Sequence, residues 1–335
     1  MRIRDVRVES SGRGAEAIGR FEWEDSDRSP VEIHFRVDES LGSSLSAGIE
    51  SFLLAGYFPA RHHGESRIAV EIPADPRLTD GLLGAGRLLQ LWYGGSLPRI
   101  ESPPGWQARD PLPSQRTGSF LTGGVDSLHA LWTNHRLYPA EHPAFVRESL
   151  FVFGVEMPGE EDAPAASRRL AKIRPYLERA AGSAGVGLLQ LDTNVRRLEP
   201  DVDFWAWQYA AAPIAAAAHA LAGRFSRILL GSSYDYRNLV PWGTHPLLDP
   251  LMSSSRLSIE HTGAATHRLD KLRELCRWPG AIEGLLVCAN SPAETVNCGT
   301  CSKCLRAMVE LIAASAPQPE TLPPLEELRP DQIDA

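Results

Sequence analysis

The sequence predicts an α/β protein in which a doubly wound, mostly parallel sheet follows a smaller N-terminal α+β domain. From about residue 115 onward, short apolar runs alternate with stretches of helical spacing, which is typical of parallel strands joined by crossover helices. Residues 1–105 instead carry several β-branched stretches in succession. Between the two regions lie residues 103–105, Pro111 and Pro113, a Pro- and Gly-rich composition typical of a domain boundary.

The elements of residues 1–105 are predicted from local patterns. β-Branched or alternating stretches favour strands, whereas apolar residues spaced three and four apart favour helices. By these criteria the strands span residues 2–9, 17–23, 31–37 and 67–72, and the helices span 46–57 and 82–92. No sequence motif in this region indicates its role.

The second domain is predicted to span residues 115–316. Its strands are expected at 117–121, 150–155, 186–191, 228–231 and 285–288, and its helices at 165–181, 204–222, 266–277 and 302–314. In sheets of this kind, ligands bind beyond the carboxyl ends of the strands, so the loops there are candidates for a site. Residues 317–335 are rich in proline and acidic residues and are predicted to form a loose tail.

Composition narrows the class of protein. The chain has 335 residues, of which 43% are hydrophobic, enough for a sizeable core. Its formal net charge of −8 does not favour a nucleic-acid partner, because affinity for the phosphate backbone comes from clustered Lys and Arg. The first residues are charged and lack the apolar run of a signal peptide, and the Ala-rich stretch 204–223 is interrupted by Gln208 and Pro213. We therefore expect a cytoplasmic protein without a membrane span.

A glycine turn, residues 122–127, follows the predicted strand 117–121. Gly123 and Gly124 allow the backbone to turn sharply and to approach a ligand, and the N–H groups of the next helix favour an anion. Thr122 and Ser127 add hydroxyl groups, and Asp126 is suited to hold Mg²⁺ on a phosphate. The alternative is a tight strand–helix turn with an Asp or Ser helix cap.

The cysteines are concentrated near the end of the second domain. Four thiolates suit the tetrahedral coordination of Zn²⁺, and a Cys-x-x-Cys pair with Gly299 at its turn is typical of a zinc knuckle. A structural Zn²⁺ site is favoured over disulfides or an iron–sulfur cluster, because no signal indicates an oxidising compartment. The fifth cysteine, Cys276, is predicted to be an ordinary core residue. The predicted ligands are Cys288, Cys298, Cys301 and Cys304.

The glycine turn resembles the Ser-Gly-Gly-x-Asp-Ser signature of the PP-loop ATP pyrophosphatase superfamily, with Thr122 in the first position. Together with the Cys-Gly-x-Cys-x-x-Cys pattern that ends at Cys304, it resembles the zinc-containing cyano-deazaguanine synthase branch of queuosine-precursor synthesis. The resemblance covers about residues 115–315 and implies a Rossmann-like PP-loop domain. It also implies cleavage of ATP to AMP and pyrophosphate, with adenylation of a carboxylate that becomes an amide and then a nitrile.

The resemblance also implies roles for individual residues. Lys271 lies in the helix where relatives carry a phosphate-facing lysine, with Arg268 as a neighbouring candidate, although the charge pattern alone describes a solvated helix face. The segment 151–155 would flank the adenine through backbone groups, and its alternative is plain sheet core. Catalytic roles are implied for Asp126, Ser127 and Lys271. Nucleotide binding is implied for Thr122, Gly123, Gly124, Val125, Asp126, Ser127, Phe153 and Gly154.

A long loop, residues 232–256, leaves the carboxyl end of the predicted strand 228–231. Loops of this length are usually functional or disordered, and its aromatic content argues against disorder. We predict that the loop lines an acceptor pocket, and the equally weighted alternative is a surface loop folded on its own aromatic side chains. The predicted pocket residues are Tyr234, Asp235, Arg237, Trp242 and His245.

We therefore expect an ATP-dependent adenylating enzyme, an amide- or nitrile-forming ligase. It would activate a carboxylate or amide of a small molecule for attack by ammonia or another small nucleophile. ATP, Mg²⁺ and structural Zn²⁺ are the expected cofactors, and a homodimer is compatible with the sequence. Two alternatives remain: sulfur transfer through a persulfide on a cysteine of the 298–304 set, and a non-catalytic nucleotide-binding protein.

Overall fold

The strands and helices are known for most of the chain. A computed structural model describes residues 1–12, 14–108, 116–155, 163–288 and 295–328. The predicted linker residues Pro111 and Pro113 and positions 329–335 of the predicted tail lie outside the described residues. The strands are β1 (Arg2–Ser11), β2 (Gly14–Glu22), β3 (Val31–Val37), β4 (Arg67–Val70), β5 (Arg99–Glu101), β6 (Thr117–Phe120), β7 (Val146–Phe153), β8 (Gly187–Thr193), β9 (Arg227–Gly231) and β10 (Ser258–Thr262). The helices are α1 (Ile49–His62), α2 (Pro76–Tyr93), α3 (Val125–Leu137), α4 (Ala163–Ser183), α5 (Val202–Phe204), α6 (Ala211–Ala220), α7 (Arg268–Leu275), α8 (Pro279–Ile282) and α9 (Ser302–Ala313).

Within the described residues, the ten strands join one mixed sheet in the order β10-β9-β6-β7-β8-β3-β2-β1-β4-β5. The strands β10, β9, β6, β7 and β8 are parallel neighbours, and β4 and β5 run parallel beside β1. The pairs β8–β3, β3–β2 and β2–β1 are antiparallel. The prediction of an α/β fold with a mostly parallel sheet is confirmed, and the N-terminal strands extend this same sheet. The division of the chain into domains stays a prediction.

Helices cover both faces of the sheet. On one face, α1, α2 and α6 enclose a core that includes the fully buried Phe52, Tyr57 and Tyr209. On the other face, α3, α4, α7 and α9 enclose a second core that includes Leu128 and Leu272. Because α3 and α4 cross over one face and α6 crosses over the other, the parallel part of the sheet is wound in both directions.

The chain reverses its direction across the sheet at β6. From β6 it proceeds to β7 and β8 on one side, and it then returns to form β9 and β10 on the other side. The connections that leave β6 and β9 therefore run to opposite faces. In doubly wound sheets the crevice that binds ligands lies at such a point, beyond the carboxyl ends of the two strands. The glycine turn follows β6 and Ser232 follows β9, so both begin at this crevice.

Three strands differ between the prediction and the structure. The strand predicted at 285–288 is wrong: Leu286 N–H donates to Gly123 O, and the next two N–H groups donate to the Asn297 side chain instead of to a neighbouring strand. β10 is absent from the predicted elements, because its short Ser-Ile-Glu-His-Thr sequence is largely polar and follows a long loop. β5, only three residues long, is likewise absent from them.

The helix predicted over 204–222 is interrupted by a π turn, Trp205–Tyr209. Gly243 of the long loop donates to Ala206 O over 3.0 Å, and its carbonyl oxygen accepts from Ala211 N–H over 2.9 Å. The loop thus replaces hydrogen bonds that an uninterrupted helix would make to itself. In the described ranges, no helix combines the length and the apolar character needed to cross a bilayer.

Candidate active site and metal centre

The glycine turn connects β6 to α3 at the crevice. Gly123 has a φ of +78°, a left-handed conformation that favours glycine, and Gly124 is the N-cap residue of α3. Ser127 Oγ donates to Gly124 O over 3.0 Å, and Thr122 N–H donates to Ser127 Oγ over 3.2 Å. The alternative of a helix cap formed by Asp126 or Ser127 is wrong, because the cap position is occupied by a glycine. The N-terminus of α3 therefore opens on the crevice without a side-chain cap, an arrangement suited to an anion.

Asp126, in the first turn of α3, is held by two cations of α7. Lys271 Nζ lies 2.9 Å from Asp126 Oδ1, and Arg268 Nη1 lies 3.1 Å from Asp126 Oδ2. Lys271 also donates to the carbonyl oxygen of Ser232 over 2.5 Å. The Lys271 side chain is only 1% exposed, so the alternative of a solvated helix face is wrong for this residue. The structure therefore brings two of the predicted catalytic residues, Asp126 and Lys271, into direct contact.

The ion-pair network around Asp126 extends to α9. Arg268 also pairs with Glu310 of α9 over 2.9 Å, and Glu310 pairs with Arg306 over 2.9 Å. Two carboxylates therefore face three cations, since Lys271 is the third. Asp126, Arg268 and Glu310 are each no more than 20% exposed, so solvent screens their charges only in part. Arg306, however, is 59% exposed, so the partly buried positive and negative charges of the network balance. The start of α3, which has no side-chain cap, is therefore the feature that favours an anionic ligand.

Phe153 and Gly154 lie at the end of β7. Gly154 has a φ of +96°, and a Cβ atom there would lie 1.9 Å from the carbonyl oxygen of Thr193 at the end of β8. Glycine is therefore required by the close approach of two strand ends. Phe153 is half-buried, and its ring centroid lies 6.4 Å from that of Phe151. The place of both residues beside an adenine ring stays a prediction, since packing alone accounts for the glycine.

The four clustered cysteines have the geometry of a tetrahedral metal site. The Sγ atoms of Cys288 and Cys301 are 3.8 Å apart, those of Cys298 and Cys304 are 3.9 Å apart, and all four lie within 4.8 Å of one another. A tetrahedron with Zn–S bonds of about 2.3 Å has edges of about 3.8 Å. Cys288 and Cys304 are buried, and none of the five cysteines forms a disulfide. The residues therefore fit a metal such as Zn²⁺.

Local hydrogen bonds shape the knuckle that precedes α9. Gly299 adopts a φ of +76°, and Cys301 N–H donates to Cys298 Sγ over 3.3 Å. Burial raises the pKa of Cys298, but donors from Thr300 and Cys301 outweigh it and lower this pKa to about 6. Burial and the neighbouring thiols raise the pKa of Cys304, a cost that a bound cation removes. Of these two cysteines, Cys298 is therefore prepared to act as a thiolate, whereas a bound cation would favour the thiolate form of Cys304.

The metal centre and the glycine turn are direct neighbours. Leu286, two residues before Cys288, donates its N–H to Gly123 O over 2.9 Å. A Cβ atom on Gly123 would lie 2.7 Å from the Leu286 side chain, so only glycine permits this approach. The sequence contains no signal for this contact, because the two segments are far apart along the chain.

The predicted acceptor residues fall into separate groups. Tyr234 and Trp242 lie together, with ring centroids 6.0 Å apart, and Trp242 also contacts Trp207 of the π turn at 4.8 Å. Asp235 folds its own loop: its carboxylate accepts from Asn238 Nδ2 and the backbone of Arg237, which lowers the pKa of Asp235. The Arg237 residue itself is exposed. These contacts agree both with a pocket and with a loop folded on its own aromatic side chains. The role of these residues in binding an acceptor therefore stays a prediction.

His245 lies apart from the aromatic pair. Its ring is 4.9 Å from that of Trp92, and its backbone N–H donates to Asp249 over 2.9 Å. Asp249, fully buried, also contacts Nδ1 of His261 on β10 over 2.6 Å. This buried pair anchors the end of the long loop to the sheet, and no local motif in the sequence indicates it.

The site as a whole combines a glycine turn at a helix N-terminus with an adjacent four-cysteine centre. Ser232, Glu310 and Leu286, which complete it, carry no local motif, and only Asn297 has a signal, since it directly precedes Cys298. The arrangement is suited to bind a phosphate-bearing ligand at the turn and a metal ion at the thiols. Comparison of this chain with protein-family models, curated proteins and solved structures finds no significant match.

Proposed function

We propose that this chain is an ATP-dependent adenylating enzyme that cleaves ATP to AMP and pyrophosphate. It would activate a carboxylate or amide of a small molecule for attack by ammonia or another small nucleophile. The observation that carries the proposal is the glycine turn at the crevice, with Asp126 bonded to the buried Lys271.

The order of the parallel strands supports the proposal. Numbered along the chain from β6, the strands β10-β9-β6-β7-β8 have the order 5-4-1-2-3, which read from the other edge is the order of doubly wound nucleotide-binding sheets. In such sheets the first strand leads into a glycine-containing turn that binds phosphate at a helix N-terminus. The glycine turn after β6 occupies that position, which favours a Rossmann-like PP-loop domain.

The chemistry would depend on charge neutralisation. An oxygen of the acceptor attacks the α-phosphorus, the bond to the β-phosphate oxygen breaks, and pyrophosphate leaves with the electron pair. Backbone N–H groups of the glycine turn and the start of α3 would stabilise the leaving group, aided by Lys271 and Arg268. The nucleophile then attacks the activated carbon and releases AMP. The catalytic gain would come mainly from positioning and electrostatic stabilisation.

Asp126 would have a double role. It orients Lys271 and Arg268 through both carboxylate oxygens. It would also hold the Mg²⁺ that accompanies ATP, which would supply neutralisation of phosphate charge. Lys271 and Arg268 would then bond to the phosphates. At the second centre, Cys288, Cys298, Cys301 and Cys304 would hold Zn²⁺, which would stabilise the fold around the turn.

The test is the identity of the products. The purified chain would be incubated with ATP, Mg²⁺, ammonium and a panel of small carboxylic acids, and AMP, ADP and pyrophosphate would be measured. We expect AMP and pyrophosphate in equal amounts, and a loss of activity of at least about 100-fold in Asp126→Asn. The control is Asp80→Asn, an exposed aspartate of α2, which should keep wild-type rates.

Other products would decide against the proposal. ADP as the main product, or undiminished activity of Asp126→Asn, would exclude adenylation through this site. Sulfur transfer requires a reactive thiol in the 298–304 set, so full activity with all four cysteines bound to one metal ion would exclude that alternative. Tight ATP binding with no pyrophosphate exchange for any acid would favour the non-catalytic alternative.

A further inference from the structure

The segment 285–288 links the glycine turn to the four-cysteine centre. Leu286 N–H bonds to Gly123 O over 2.9 Å, and Leu286 O lies 3.4 Å from the position of a Cβ atom on Gly124. Two residues later, Cys288 Sγ is 3.8 Å from Cys301 Sγ. Only two peptide units therefore separate Leu286, which contacts the glycine turn, from the predicted metal ligand Cys288.

Asn297 fixes this segment in place. Its Oδ1 accepts from the N–H groups of Val287 (2.9 Å) and Cys288 (3.0 Å). Its Nδ2 donates to the carbonyl oxygens of Leu285 (2.9 Å) and Thr321 (3.1 Å). The side-chain amide is buried and uses both of its N–H donors and both acceptor positions, so it has one well-defined orientation.

A second connection runs through α9. Cys301 is the N-cap residue of α9, and Cys304 lies in the first turn of this helix. Two turns further along, Glu310 pairs with Arg268 over 2.9 Å, and Arg268 pairs with Asp126 over 3.1 Å. The cysteine centre is therefore connected to the glycine turn at two points. The backbone of Leu286 connects it to Gly123, and ion pairs from α9 connect it to Asp126.

We infer that metal binding at the four cysteines positions the glycine turn for its ligand, with Leu286 and Asn297 as positioning residues. The inference rests on the proposed ATP site. Without the metal, no common ligand holds Cys288 to the knuckle. The segment then keeps its bonds to Asn297, but Leu286 is held less firmly against Gly123. The turn must then be ordered at the moment of ligand binding, and this ordering lowers the affinity for the ligand.

Three variants separate the metal from its connection to the turn. Cys301→Ser removes a ligand, Leu286→Ala removes the covering side chain and leaves every cysteine, and Cys276→Ser is the matched control outside the cluster. The measurements are metal content, amide hydrogen exchange of residues 118–128, and the Kd of a non-hydrolysable ATP analogue.

We expect Cys301→Ser to lose the metal, to exchange faster in the turn, and to bind the analogue about tenfold more weakly. Leu286→Ala should keep one metal ion per chain and show the same two effects on the turn, and Cys276→Ser should match the wild type. The double variant should bind no more weakly than Cys301→Ser, because both changes act through the same segment.

Failure of this inference is distinguishable from failure of the proposed function. If the metal-loaded wild type binds no ATP analogue, the proposed function is wrong, and hydrogen exchange in the turn still tests the connection. Metal loss with unchanged exchange in the turn would overturn the inference, as would wild-type exchange and Kd in Leu286→Ala. If Cys301→Ser does not fold, removal of the metal from the wild type with a chelator replaces it, with the same expected results.

Discussion

Replacement of Lys271 by Met tests the ion-pair network at the crevice. Met is close to Lys in volume but has no charge, so the variant keeps the packing and removes both bonds of Nζ. Loss of one partner of a fully buried ion pair costs about 3–5 kcal/mol. Asp126 is 20% exposed and still pairs with Arg268 in the variant, so the cost of losing the ion pair with Lys271 is reduced to about 2 kcal/mol. The buried carbonyl of Ser232 loses its donor, which adds about 1 kcal/mol.

The expected loss of unfolding free energy in Lys271→Met is therefore about 3 kcal/mol, measured by urea denaturation. The control is Lys172→Met on α4, which should change the unfolding free energy by less than about 0.5 kcal/mol. The double variant with Asp126→Asn should lose less than the sum of the single losses, because no unpaired carboxylate remains. If Lys271→Met were as stable as the control, the buried pair would not stabilise the crevice as argued.

Two further predictions concern the packing of strand ends and a buried histidine. Gly154→Ala should lower the unfolding free energy by more than about 2 kcal/mol because of the clash with Thr193. Gly182→Ala in α4, where a Cβ atom meets no atom within 4 Å, should raise the unfolding free energy by less than about 1 kcal/mol. Equal effects of the two changes in urea denaturation would contradict this prediction. Burial lowers the pKa of His219 from 6.5 to about 4, so the unfolded chain takes up the proton first as the pH falls. Its stabilising contribution is present above pH 6.5 and should fall by about 2 kcal/mol between pH 7 and pH 5. His219→Gln should therefore lose about 2 kcal/mol less than the wild type over that interval, and an unchanged pH dependence would refute the assignment.

The candidate site was predictable where its residues are neighbours in sequence. The glycine turn occupies six consecutive positions, and three of the four clustered cysteines lie between 298 and 304. The role of Lys271 was predicted only through the family resemblance, because the charge pattern of its helix alone is typical of a solvated helix face. The roles of Glu310 and Ser232 were not predictable from the sequence, since they depend on contacts of α9 and of the residue after β9 with α7 in the folded chain.

The fold was predictable to the level of alternating strands and helices, and the errors have physical causes. The apolar run 285–288 has the composition of a strand, but its N–H groups bond to Gly123 and Asn297 rather than to a strand. β10 forms because β9 offers a parallel edge, although its own sequence is weakly strand-like. The π turn needs Gly243 from a distant loop. In each case a tertiary contact determines a local structure that the sequence pattern alone does not specify.

The N-terminal strands have a structural reason to join the sheet. A parallel sheet needs both faces covered, and its edge strand needs a partner. β3 provides that partner through Phe35, which pairs with Thr193 of β8. α1 covers α6, and Tyr209 of the π turn before α6 donates its hydroxyl to Ala55 O of α1 over 2.5 Å. α6 leads into β9, and Ser232 after β9 holds Lys271. The region without a chemical motif therefore supports the crevice, since it buries the helix that leads into the strand ending there.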